Sequence, residues 1–332
     1  MKILIIRFSS IGDIVLTSPI MRCLKQQFPD TEVHYLTKEA FYPIVADNPY
    51  IDRVHLLNKD VFQSIKELKE FKFDYIIDLH VNLRSFLIKT FLQRKSHSFP
   101  KLNFKKWILV NLKKNYLPNI HIVDRYFATL KSLNIKNDDM GLEMSIMDNE
   151  EIDQDEMPFN FRHGYIVFAI GAAHRTKSIP LNIAKEIGEK INHPIVIVGG
   201  KKEFALAHEI EKIDHDRIIN KCGILTLGQS ASLIKKARLV ITPDTGMMHI
   251  ASAFNKYIVS IWGNTVPELG MYPYMPQNKD GFSIHEVKNL KCRPCSKIGF
   301  QDCPKDHFNC MNKQDVAHIL EQIESFWNQK KN

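Results

Sequence analysis

The chain has 332 residues, 44% of them hydrophobic and 25% charged, which excludes a disordered chain, and its length favours two domains over one core of more than roughly 250–300 residues. No apolar run approaches the roughly 18–20 residues of a spanning helix. The N-terminal MKILIIRFSSIGD lacks a small-residue cleavage site and six cysteines are too few for a disulfide scaffold, so a protein of the reducing cytosol is expected. The net charge of +8, from 45 basic and 37 acidic residues, is concentrated in one stretch and leaves the remainder near neutral.

In chain order, the first half carries short β-branched runs, KILIIR, EVHYLT, DRVHLL and DYIIDL, each separated by enough residues for a helix. That is a βαβ rhythm. The loop after the first run, RFSSIGDIVLTSP, places Ser9, Ser10, Gly12 and Asp13 at a predicted helix start. The plain reading of Ser10 and Asp13 is helix capping; the chemical reading makes Asp13 a general base facing a cleft. The loop is not a G-x-G-x-x-G fingerprint, so it gives no sign of dinucleotide binding.

Residues 79–123 contain no acid and nine cations, among them Arg84, Lys89, Arg94, Lys105 and Lys114, interleaved with Phe86, Phe91, Phe99, Phe104 and Trp107. The stretch reads either as a solvated face or as an interfacial segment, 84–114, that meets anionic lipid while its rings sink to the headgroups. No groove-reading helix or stacking motif is visible, so nucleic acid is not expected as a partner. Next, 148–161 (DNEEIDQDEMPFNF) carries six acids and no base and reads as an inter-domain linker.

The rhythm then restarts with YIVFAI, PIVIVGG, ARLVIT and YIVSIW. Continuous apolar strands between amphipathic helices indicate parallel sheets covered on both faces, hence two Rossmann-like α/β domains, 1–155 and 156–312. Ligands in such sheets bind beyond the carboxyl ends of the strands. In AIGAAHRTKSIP, Gly171, Ala172 and Ala173 leave backbone open to close approach while His174, Arg175 and Lys177 supply cations, a combination that suits a diphosphate. LVITPDTGMMHIASA is the strongest signal: Asp244 follows a buried strand, Thr245 and Gly246 start a helix whose amides suit an anion, and His249 lies one turn in. The next strand ends in WGNTVPE and puts Thr265 at the same edge.

Two acidic pairs, DQD at Asp153 and DHD at Asp214, fall in the linker and a surface turn, so no metal is expected in catalysis. Near the end, Cys292, Cys295, Cys303 and Cys310, with His307 between them, are compatible with a structural zinc site or with free thiols.

Taken together, SSIGDIVLTSP, the loop from Lys177 to Pro180, DTGMMHIASA and WGNTVP resemble glycosyltransferase family 9, the ADP-heptose:lipopolysaccharide heptosyltransferases, over almost the whole chain. The resemblance implies a GT-B fold in which a C-terminal helix, within 313–332, packs back towards the first domain. It implies an ADP-activated sugar donor, an anionic lipid-linked glycan acceptor, and a cytoplasmic enzyme peripheral to the inner membrane of a Gram-negative bacterium. By the same resemblance Asp13 is the base of an inverting displacement, Lys177 neutralises the diphosphate, and Asp244, Thr245, Gly246 and His249 form the nucleotide-diphosphate motif. Ser10, Gly12, Ala172, Ala173 and Thr265 line the nucleotide sugar, and Glu203 matches a ribose-binding acid. Ala172 and Ala173 stand where some members carry hydroxyls, and Ile179 replaces a frequent tryptophan. Two other classes suit the same residues: a nucleotide-sugar epimerase of similar fold, and a non-catalytic nucleotide-sugar or lipid-surface binding protein.

Overall fold

The computed structural model describes residues 1–329. The chain divides into two compact units, one of residues 1–101 and 120–147, the other of 102–119 and 148–332. The first holds a five-stranded sheet of β1 (Lys2–Ile6), β2 (Glu32–Thr37), β3 (Arg53–Leu56), β4 (Tyr75–Asp78) and β5 (Lys95–Ser98) in the order β3-β2-β1-β4-β5. Every pairing is parallel, with Ile5 opposite Tyr35 on one side and Ile77 on the other. A core of Leu4, Ile6, Leu36, Ile65, Leu68, Phe73 and Ile76 covers one face of this sheet.

The second unit holds six parallel strands: β6 (Ile166–Ala169), β7 (Ile195–Val198), β8 (Ile218–Asn220), β9 (Leu239–Pro243), β10 (Tyr257–Trp262) and β11 (Phe282–Glu286). Their order is β11-β10-β9-β6-β7-β8, so the chain leaves β6 in one direction and resumes at β9 in the other. The gap between the ends of β6 and β9 is a topological switch point, the place where an open α/β sheet can take a ligand. The strand residues of β6, β7 and β9 are buried throughout, as expected of a sheet with helices on both faces.

The two units have bounds other than the expected 1–155 and 156–312. The acidic segment packs on the second unit, where Glu151 accepts from Ser232 Oγ at 3.0 Å and pairs with Lys235 at 2.5 Å, moving the boundary from 155 to 147. Residues 102–119 belong to the second unit although the sequence places them in the first domain. The helix Val316–Asn328 seats its stripe of Val316, Ile319, Ile323 and Phe326 in the core of the second unit.

Candidate active site

In the first unit the chain turns from β1 into a helix at Ile11–Val15, capped by Ser10. Ser10 donates from Oγ and from its backbone N–H to Asp13 Oδ2, at 2.8 and 3.3 Å, which completes a capping box. The other carboxylate oxygen, Oδ1, lies 2.7 Å from Arg7 Nη2. Arg7 is buried and itself held by the carbonyl of Ser9 at 2.8 Å, the carbonyl of Leu79, and Tyr126 Oη at 3.2 Å. Asp13 is thus fixed at both oxygens yet keeps 23% of its side chain exposed, enough to meet a ligand. At the end of β4, next to β1, His80 packs 4.6 Å from the Phe8 ring. Burial, reinforced by Arg7 and Lys101, lowers its pKa to about 4, so it is neutral at pH 7.

In the second unit three loops meet at the switch point. After β6, a single turn at Arg175–Lys177 presents Lys177, whose Nζ lies 2.6 Å from Asp244 Oδ2. After β10, Thr265 Oγ1 donates to that same oxygen at 2.7 Å. After β9, Thr245 caps the helix Gly246–Ala253, and its hydroxyl lies 3.3 Å from that of Thr242. His249 is buried one turn into this helix. The result is a lysine, a carboxylate, hydroxyls and a helix N-terminus at one sheet edge. The helix amides and Lys177 together suit a diphosphate, which would compete with Asp244 for the lysine.

Two glycines mark where backbone must approach closely. A Cβ on Gly171, at the end of β6, would come within 2.5 Å of Glu203, and a Cβ on Gly263 within 2.6 Å of the carbonyl of Thr176. Glu203 accordingly lies against the end of β6, but its Oε2 accepts from the N–H of Gly200 at 2.9 Å, so the carboxylate also caps its own turn. Ala172 is half-buried and Ala173 exposed.

Arg293 stands out only in the structure. Its guanidinium donates to the carbonyls of Gly263 and Thr265 at 2.6 and 2.7 Å and pairs with Glu286 at 2.6 Å, clamping the loop that carries Thr265. The signal available in the sequence was an arginine inside C-R-P-C, which the cysteines overshadow. These cysteines are free thiols: Cys295 Sγ donates to the carbonyl of Cys292 at 3.0 Å, and Cys292 Sγ lies 3.9 Å from His307 Nε2. Burial raises Cys295 to about 11 and Cys310 to about 12, and the neighbouring cysteines add to both shifts. Among the described residues no group of three or more His, Cys, Asp or Glu is arranged to hold a metal ion.

Fold and site together define an α/β protein with Rossmann-like parallel sheets and, at one strand edge, a lysine, a carboxylate and hydroxyls beside a helix start. The glycosyltransferase family 9 (heptosyltransferase) model matches residues 61–298, more than half of the chain, and the chain belongs to that family of glycosyltransferases. It is 24% identical to lipopolysaccharide heptosyltransferase 1 of Campylobacter coli over 296 residues, covering 80% of this chain and 84% of that protein. It is 27% identical to lipooligosaccharide heptosyltransferase 2 of Haemophilus ducreyi, with the same coverage. The solved ADP-heptose lipopolysaccharide heptosyltransferase II of Escherichia coli superposes with a TM-score of 0.73 at 16% identity over 98% of each chain, and the paired parallel sheets are those of the GT-B fold.

Proposed function

We propose that this glycosyltransferase moves a heptose from ADP-heptose onto a lipopolysaccharide-core acceptor, with inversion at the anomeric carbon, at the cytoplasmic face of the inner membrane of a Gram-negative bacterium. The observation that carries the reading is the Lys177–Asp244–Thr265 constellation beside the Thr245–Gly246 helix start, at the β6/β9 switch point. The names of its relatives support the heptose and a lipopolysaccharide or lipooligosaccharide acceptor.

In this reading Asp13 accepts the proton of the acceptor hydroxyl. The hydroxyl oxygen forms its bond to the anomeric carbon as the bond from that carbon to the diphosphate oxygen breaks. Charge gathering on the departing ADP is met by Lys177 and by the amides at Thr245 and Gly246, with no metal in the step. Arg7 fixes the Asp13 carboxylate through its ion pair, leaving the exposed part of the side chain to meet the acceptor.

The test is thermal stability of the protein with ADP, UDP, GDP, CDP or TDP in excess. At about 100 times its Kd a ligand adds about 2.7 kcal/mol. Selective stabilisation by ADP, lost in Lys177→Ala, is the expected result, and ADP-heptose plus a core acceptor should then release ADP. Preference for another nucleotide would overturn the donor.

A further inference from the structure

Residues 102–119 contain four lysines and no acid. Their helix, Asn103–Leu112, is anchored on the second unit by one side alone. Leu109 packs with Val266, Leu269 and Leu117, and just beyond the helix Lys113 Nζ donates to the carbonyls of Val110 and Pro294 at 2.6 Å and of Cys292 at 3.2 Å. That side also walls a cleft of about 530 Å³ facing Val266, Glu268, Glu286 and Arg293.

The opposite side is unlike an ordinary solvated surface. Phe104 and Trp107, five and two residues before Leu109 and so turned away from it by the helical period, are 74% and 54% exposed. Their rings stack nearly parallel, 6.4 Å between centroids. Leu112, at the helix end, and Tyr116, just beyond it, are exposed too. Lys105, next to Phe104 in the sequence, and Lys114, beyond the helix end, are exposed as well. Exposed rings with exposed lysines close by, in a stretch that itself carries no acid, is the pattern of a helix that lies in a lipid interface, rings among the headgroups and ammonium groups on lipid phosphates. No helix among the described residues is long and apolar enough to cross a membrane, so such a contact would lie on the surface.

We infer that this helix, through the exposed rings of Phe104 and Trp107 together with the exposed Lys105 and Lys114 near them in the chain, docks the protein on a bilayer containing anionic phospholipid. The inference agrees with the proposed lipid-linked acceptor but does not depend on it, because the contact needs neither donor nor acceptor. The cations elsewhere in the acid-free stretch are outside the proposal. Lys89 pairs with Asp78, while Arg84, Arg94 and Lys95 belong to the first unit.

Sedimentation of the full chain with vesicles of phosphatidylcholine, with and without phosphatidylglycerol, tests it, at about 0.1 M salt and with no sugar nucleotide or glycan. Partition is expected only with phosphatidylglycerol. It should fall at least tenfold in the double variant Phe104→Ser, Trp107→Ser and in Lys105→Gln, Lys114→Gln, yet less than twofold in Arg94→Gln, Lys95→Gln. Of the three tryptophans Trp262 is buried and Trp327 half-buried, so Trp107 dominates any blue shift of emission on binding. Circular dichroism and the ADP response separate misfolded variants from folded ones, and a wild-type emission shift quenched by brominated lipid places the ring directly where a variant fails to fold. Absence of partition, equal loss in all three double variants, or capture by single-stranded oligonucleotide in preference to vesicles would overturn the proposal. Vesicle binding without any transferase activity would instead retain the docking face and remove the proposed reaction.

Discussion

Asp13 serves structure and chemistry through different oxygens: Oδ2 closes the capping box with Ser10, while Oδ1 pairs with Arg7. This separation makes the two roles testable. Asp13→Asn keeps a side-chain oxygen for the cap but removes the basic carboxylate, so transfer should fall on the order of 10²–10⁴-fold while ADP stabilisation is unchanged. Asp13→Ala should add a loss of about 1 kcal/mol in stability from the missing cap. Steady-state kinetics beside thermal melts check both, and transfer by Asp13→Asn at the wild-type rate would remove Asp13 as the base. The Ser10–Asp13 spacing is legible in the sequence. Arg7 is not, because what orients it, Leu79 and Tyr126, lies 72 and 119 residues away.

The central strands were readable because both their faces are buried. The unread strands are β5 (KSHS), β8 (IIN) and β11 (FSIHE), which lie at sheet edges where one side lacks a partner and the run is short or polar. The Cys-rich segment was legible as a constellation but not as a brace. Its Phe300 exchanges hydrogen bonds with Thr176, N–H to Oγ1 at 2.8 Å and backbone N–H to carbonyl at 3.1 Å, while Cys295 N–H bonds the carbonyl of Asn264 at 3.2 Å. One end of the segment therefore holds the Lys177 turn and the other the Thr265 loop. Gly263 is where those loops come closest. Gly263→Ala should drive a methyl into the Thr176 carbonyl, cost about 1–3 kcal/mol by overpacking, and weaken the ADP response more than the loss of stability explains. Titrating ADP against the folded variant below its melting temperature checks this, and wild-type affinity would show that the loops move independently of the site.

Across the whole molecule, buried histidines set a pH limit. His34 Nδ1 lies 2.7 Å from His55 Nε2, and its Nε2 lies 2.8 Å from Glu32. Burial lowers both rings, His55 to about 4 with His34 and Arg53 adding to it, whereas Glu32 partly offsets the effect on His34. His80 is held at about 4 by burial with Arg7 and Lys101, against Asp78 and Asp13, and His285 at about 4 by burial and His318, against Asp315. Each folded value lies below the ordinary 6.5, so between pH 6.5 and about 4 the unfolded chain binds more protons than the folded one. Stability should therefore be full above about pH 6.5 and fall as the pH is lowered towards 4, by up to about 1.4 kcal/mol per pH unit for each ring that titrates. Three of these histidines lie in the first unit and only His285 in the second, whereas all three tryptophans lie in the second. On acidification far-UV circular dichroism, which reports both units, should begin to fall at a higher pH than tryptophan emission. His55→Gln should flatten the dependence of the urea midpoint on pH between 6.5 and 4.5. Coincident transitions by the two probes would mean that the units lose structure together, and a midpoint unchanged between pH 7 and 5 would show that these rings protonate without opening the fold.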